Sequence, residues 1–152
     1  PVGLSGVMGK FVNAIPHEAM STLSSLPFSV RLGGMVNTNF LSHDPLVKKA
    51  YLEDELNTPR VHTKLLLELV KDSKNVFTRP IRPKCPSFCS YGTEDFVIGP
   101  EHIHEYFEST EKAFSVKTFE GAYHEIHNET EKYRKPYFEY LKEVFNEVLY
   151  PS

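Results

Sequence analysis

The sequence has little that would tie the chain to a membrane, to nucleic acid or to a disulfide-stabilised fold. It contains 2 cysteines and no tryptophan, and no apolar run approaches the roughly 18 residues that a membrane-spanning helix needs. The formal net charge is −3, from 17 basic and 20 acidic residues, and like charges form no long block. We therefore expect a folded globular chain that does not bind nucleic acid.

The two cysteines are too far apart to form a disulfide with each other if they share one strand. Cys85 and Cys89 are then separated by roughly 13 Å between Cα atoms, whereas a disulfide needs about 7 Å or less. Their spacing is also a poor signal for zinc, and we expect neither a metal nor a cofactor. Buried thiols in a reducing compartment are the simplest interpretation, so we expect a cytoplasmic protein.

The N-terminal third of the chain has no regular pattern of apolar residues. Residues 1–57 are apolar but are interrupted by glycine and proline, which favours short helices over 7–15 and 17–26 and argues against a sheet. The first residues carry neither a basic start nor a long apolar core, so they do not resemble a signal peptide. They also lack an initiator methionine, which suggests that the chain was cut from something longer.

Two Xaa-Pro pairs predict the next helices. Asp44 is an N-cap candidate with Pro45 at the first helical position, and the apolar stripe runs to about residue 56. Thr58 and Pro59 repeat this device for a helix that ends near residue 73. The leucines of that second helix are predicted core residues, namely Leu65, Leu66 and Leu69.

A proline-rich connector over 78–84 is the one plausible boundary in the chain. We therefore divide it into a helical region, 1–78, and an α/β part, 79–152. In the second part, strands over 86–91 and 114–119 flank a helix that begins at Pro100. This order predicts a β-α-β unit with parallel strands, followed by a last helix that begins at Pro136.

The β-α-β unit places an acid and a base at the same edge of the predicted sheet. Asp95 follows the first strand and His124 follows the second, and the carboxyl ends of parallel strands are where ligands bind in open α/β sheets. A carboxylate beside a histidine suits nucleophilic acyl transfer, in which the imidazole takes a proton from a serine. Considered alone, Asp95 would be a helix cap and His124 a surface histidine.

The sequence supplies no convincing nucleophile for this pair. The serine of an α/β hydrolase stands in a G-x-S-x-G turn between a strand and a helix, and these 152 residues contain no such motif. Ser5 lies between two glycines, but Val7 replaces the second glycine of the motif. The other histidines, His62, His102, His104 and His127, are interpreted as solvated or locally bonded residues, and Glu129 as a local capping or pairing residue.

At these two motifs the chain resembles the monoglyceride lipase and lysophospholipase branch of the α/β hydrolases. The resemblance rests on Gly-Thr-Glu-Asp at 92–95 and on Gly-Ala-Tyr-His-Glu-Ile-His-Asn-Glu at 121–129. It implies a mostly parallel sheet with a helical cap, formed here by residues 1–78. It also implies a serine nucleophile, hydrolysis of monoacylglycerols or similar lipid esters, and a triad acid and base at Asp95 and His124.

The resemblance also suggests the substrate contacts and the partners. Phe28, Met35 and Val97 are the candidate substrate-binding residues. Because two strands cannot shield both faces and edges of a sheet, we expect the partner to be the N-terminal part of the same hydrolase or a second copy of the chain. The cap is expected to make transient contact with a membrane surface.

Two other functions stay open at this point. The chain could be a non-catalytic α/β-hydrolase remnant that serves as an interaction module. It could also belong to a hydrolase with another chemistry, such as an aspartate nucleophile, since the nucleophile turn is not in the sequence. The missing serine predicts that this chain alone is inactive.

Overall fold

The computed structural model describes residues 14–33, 37–58 and 60–150 of the chain. The helices in these ranges are α1 His17–Ser25, α2 Pro45–Glu53, α3 Thr63–Val76, α4 Pro100–Ser109 and α5 Glu131–Leu149. The strands are β1 Arg31–Gly33, β2 Arg60–His62, β3 Ser87–Gly92 and β4 Phe114–Phe119. Short 3-10 helices cover Thr38–Phe40 and Ile126–Asn128.

Strands β3 and β4 form the parallel pair that the sequence predicted. Their register runs from Ser87 opposite Phe114 to Gly92 opposite Phe119, and α4 is the connection between them. The mixed α/β class and the β-α-β unit are therefore confirmed. Both strands end at the same edge, where the Asp95 and His124 loops begin.

The helical region contains a small sheet that the sequence analysis missed. Strand β1 pairs with β2 in antiparallel register, with Leu32 opposite Val61. Three-residue strands are too short to show an alternating pattern, which is why the prediction of no sheet was wrong. Because of this pairing, Arg60–His62 is extended rather than helical. Helix α3 therefore begins at Thr63, later in the chain than the Thr58-Pro59 pair predicted.

Helix α3 packs against α1 through one face only. Leu66 and Val70 are buried against Met20, whereas Leu65 and Leu69 are 62% and 57% exposed. The prediction that all three leucines lie in the core is therefore confirmed for Leu66 and wrong for Leu65 and Leu69. The helix predicted over 7–15 lies mostly outside the described residues.

The predicted start of α2 is confirmed. The Oδ1 atom of Asp44 accepts a hydrogen bond from the backbone N–H of Leu46 at 2.9 Å, and Pro45 occupies the first helical position. This cap satisfies one of the free N–H groups of the first turn. The helix ends at Glu53, earlier than the predicted residue 56.

Helix α5 begins at Glu131, before the predicted start at Pro136. Proline lacks an N–H group and is unfavourable in a helix interior, so Pro136 was interpreted as the first position rather than an internal one. The face of α5 toward the sheet is aromatic and packs on the end of β4 and the following loop. The residues of this contact are Tyr133, Tyr137 and Tyr140 on the helix with Phe119, Ala122 and Ile126 beneath them.

In the described ranges, no helix is both long and apolar enough to cross a membrane. The division of the chain at residue 78 stays a prediction. The helical region and the α/β part are in direct contact, because Ser42 and His43 are hydrogen-bonded to Glu129.

Candidate active site

The loops that follow β3 and β4 are hydrogen-bonded to each other. The backbone N–H of Thr93 donates to the carbonyl of Phe119, and that of Glu94 donates to Ala122, both at 3.1 Å. In return, the N–H of Gly121 donates to Oγ1 of Thr93 at 2.8 Å. These bonds fix the spacing of the two loops at the edge of the sheet.

Two glycines allow the loops to approach so closely. Gly121 has φ +73°, a left-handed conformation that suits glycine. A Cβ atom on Gly92 would lie 2.1 Å from the carbonyl oxygen of Ala122, far inside van der Waals contact. Glycine at position 92 is therefore required by the close packing of the two loops.

Asp95 and His124 meet at this edge. The Oδ2 atom of Asp95 lies 2.7 Å from Nδ1 of His124, and Oδ1 accepts hydrogen bonds from the N–H groups of Val97 and Ile98 at 2.8 and 2.9 Å. The aspartate is only 5% exposed. The structure thus brings together the two residues that the sequence pattern selected, and both carboxylate oxygens are held in place.

The environment of His124 favours its charged form. The hydrogen bond to the Asp95 carboxylate raises the pKa of His124 above its ordinary value of 6.5; partial burial opposes this, and the charges of Asp95 and Glu125 support it. An ionised carboxylate can only accept, so Nδ1 of His124 carries the proton. In the neutral ring, Nε2 is then free to accept a proton from a substrate or a nucleophile.

An aromatic cluster joins three chain segments beside the pair. The rings of Phe40 and Phe96 lie 4.7 Å apart, and Tyr123 lies 5.9 and 5.8 Å from them. The N–H of Glu125 also donates to the carbonyl of Leu41 at 2.8 Å. The segment before α2 therefore packs directly against the turn that carries His124.

A family model described as serine aminopeptidase, S33, matches residues 4–131. The chain belongs to this family. Its fold is that of an α/β hydrolase, which confirms the resemblance found in the two motifs. A search of curated protein sequences found no match.

Two solved structures resemble this S33 chain. One is a Paleococcus ferrophilus monoacylglycerol lipase, with 26% identity and a TM-score of 0.72; the match covers 84% of this chain and 50% of that protein. The other is a soluble variant of monoglyceride lipase from Saccharomyces cerevisiae in complex with a substrate analog, with 14% identity and a TM-score of 0.69 over 87% of this chain and 46% of that protein. The chain thus spans about half the length of the structures that it matches.

The candidate substrate-binding residues of the S33 chain are less well defined. Phe28 is 67% exposed between α1 and β1, and Met35 lies outside the described residues. Val97 is half-buried, and its backbone N–H donates a hydrogen bond to Oδ1 of Asp95. Their contact with substrate stays a prediction.

Sequence reasoning missed the partners of Glu129 in the S33 chain. Glu129 is fully buried, and its carboxylate accepts hydrogen bonds from Ser42 and His43, which are distant in sequence. No local pattern indicated this contact.

No group of three or more histidine, cysteine or acidic side chains in the described part of the chain could hold a metal ion. Cys85 and Cys89 are free thiols. Cys85 is exposed and Cys89 is only partly buried, so the prediction of two buried thiols was wrong for Cys85 and is met only in part by Cys89.

Proposed function

We propose that the chain is part of a serine ester hydrolase that acts on monoacylglycerol or lysophospholipid-type lipid esters. The observation that carries this proposal is the 2.7 Å hydrogen bond between Asp95 and His124 at adjacent ends of two parallel strands. The 26% identity with a protein described as a monoacylglycerol lipase supports the substrate class. A cytoplasmic location and contact of the cap with a lipid surface stay predictions.

In the proposed reaction His124 is the general base. Its Nε2 atom takes the proton of a serine hydroxyl while the serine oxygen attacks the ester carbonyl, and Asp95 stabilises the imidazolium that forms. The same proton then passes from His124 to the departing alcohol, which leaves an acyl-enzyme. A water molecule, deprotonated by His124 in turn, releases the fatty acid.

The serine and the oxyanion donors are proposed to come from another part of the protein. The 152 residues contain no G-x-S-x-G, and they span half of the similar lipase. Phe145 and Leu149 on α5 are 61% and 64% exposed, and such a part would cover these apolar side chains. We call this chain together with the part that supplies the serine, proposed to be the N-terminal portion of the same hydrolase, the complete hydrolase. A second copy of the chain could cover the same face but would not supply the serine.

Release of fatty acid from a monoacylglycerol and from a lysophospholipid by the complete hydrolase tests the proposal. We expect hydrolysis of at least one of them, reduced about 10⁴-fold or more by His124→Ala. His127→Ala is a matched control, because His127 lies in the following 3-10 turn. Hydrolysis that survives the loss of His124, or the absence of any ester hydrolysis, would rule the proposal out.

The raised pKa of His124 makes a prediction for the pH dependence of activity. The neutral ring is the base, so kcat/KM should rise with pH through a midpoint above 6.5, the ordinary value for histidine. The opposite sign applies to stability, because the ion pair with Asp95 stabilises the fold below pH 6.5 and is lost as pH rises through the folded-state pKa. A midpoint of kcat/KM below 6.5 would contradict the assignment of His124 as the base.

A further inference from the structure

We propose that Glu129 is a positioning residue for His124, which it holds by binding the turn before that histidine to the segment that precedes α2. The inference rests on the proposed function, since it assigns a second acidic residue to the same site. Glu129 does not act on the substrate. It acts through the backbone that carries the general base.

The carboxylate of Glu129 accepts hydrogen bonds from three parts of the chain. Oε1 accepts hydrogen bonds from the backbone N–H of Tyr123 at 2.9 Å and from Nδ1 of His43 at 2.8 Å. Oε2 accepts from the N–H groups of His43 and Thr130 at 3.0 and 3.1 Å, and from the Ser42 hydroxyl at 3.3 Å. The side chain has no exposed surface, so water cannot replace these partners.

Only a carboxylate can satisfy this set of donors. Burial favours the neutral acid, but the hydrogen bonds from Tyr123, His43 and Thr130 outweigh it and lower the pKa of Glu129. A glutamine at this position would place an NH₂ group where either Oε1 or Oε2 now accepts hydrogen bonds. At least one buried backbone N–H, that of Tyr123 or those of His43 and Thr130, would then lose its acceptor, which is costly in a buried site.

These bonds hold His124 from both sides. The residue before it, Tyr123, is fixed to Glu129 through its N–H, and the residue after it, Glu125, is fixed to the carbonyl of Leu41. The ring of His43 also stacks on Tyr123, with centroids 3.7 Å apart. Loosening Glu129 should therefore lengthen the hydrogen bond between His124 and Asp95.

The chain offers a matched control in Glu111. This carboxylate is 2% exposed and accepts hydrogen bonds from the N–H groups of Arg82 and Ala113 at 3.0 and 2.8 Å, which lower its pKa. It precedes β4, whereas His124 follows it, so the two sites lie at opposite ends of a strand about 20 Å long. A general effect of neutralising a buried carboxylate should appear equally in both variants.

The test compares Glu129→Gln with Glu111→Gln in the complete hydrolase. Both should lose thermal stability, but only Glu129→Gln should lower kcat, by about 10- to 100-fold with little change in KM. The titration of the His124 ring, followed by NMR, should shift toward 6.5 in Glu129→Gln and stay unchanged in Glu111→Gln. His43→Phe keeps the aromatic ring but removes one donor, and should give a smaller shift in the same direction.

A purely structural Glu129 would give a different result. If Glu129→Gln matches Glu111→Gln in kcat and in His124 titration, the positioning role is wrong. Where Glu129→Gln does not fold, an unchanged His124 titration in His43→Phe overturns the inference. If the wild-type complete hydrolase cleaves no ester, the proposed function fails, but the titration still shows whether Glu129 holds His124.

Discussion

Replacing Asp95 with asparagine should lower kcat of the complete hydrolase about 10⁴-fold while the fold is retained. The Oδ1 atom of asparagine can still accept the hydrogen bonds from Val97 and Ile98 that Asp95 accepts now. Its NH₂ group, however, would face Nδ1 of His124 as a donor where the carboxylate accepts. The ring would then take the tautomer with a proton on Nε2, which cannot receive the proton of the nucleophile.

Steady-state kinetics of Asp95→Asn, with Asp44→Asn as the control, measure this effect. Asp44 also accepts a backbone hydrogen bond, from Leu46 at the start of α2, and asparagine caps a helix as well as aspartate does. The control should therefore keep wild-type kcat. An Asp95→Asn variant within tenfold of wild type would mean that Asp95 is only a structural residue of its loop.

Replacing Gly92 with alanine should destabilise the fold by about 3 kcal/mol and disrupt the site. The new Cβ atom would lie 2.1 Å from the oxygen of Ala122 and 2.6 Å from that of Tyr123. Both are backbone atoms of the turn that carries His124, so they cannot rotate away as a side chain could. Strand β3 would have to move, and Asp95 would move away from His124 with it.

Gly99→Ala is the matched control for this prediction. A Cβ atom there would lie 2.6 Å from Oε1 of Glu101, the end of an exposed side chain that can rotate. Gly99 is the N-cap of α4, where alanine is less favourable than glycine, so the free energy of unfolding should fall by about 1 kcal/mol or less. Denaturant unfolding of the two variants in the complete hydrolase provides the comparison. Equal midpoints for Gly92→Ala and wild type would show that the loops do not need this close contact.

The pair at the centre of the site could be predicted from local patterns. A short strand, a helix headed by Pro100 and a second strand require a parallel arrangement, and parallel strands place the residues after them at one edge. The adjacency of Asp95 and His124 follows from that topology alone. Their distance does not, because it depends on the close approach at Gly92 and on the bonds between the loops.

The contacts between distant segments could not be predicted. His43 and Glu129 are 86 residues apart, and no periodicity connects them. Strands β1 and β2 have three residues each, too few for an alternating pattern, and they exist because they pair with each other. The predicted start of α5 at Pro136 was wrong because the preference of proline for the first helical position describes an average helix. In this chain the tyrosine face of α5 packs on the loop after β4, and the helix begins before the proline.

The most direct test of the central claim is labelling of the complete hydrolase with a fluorophosphonate, followed by peptide mass spectrometry. The proposed triad predicts one labelled serine outside residues 1–152, and a loss of labelling in His124→Ala. The isolated chain should remain unlabelled. Labelling of a serine within the chain, such as Ser5, or labelling at the wild-type rate without His124, would contradict the proposed site.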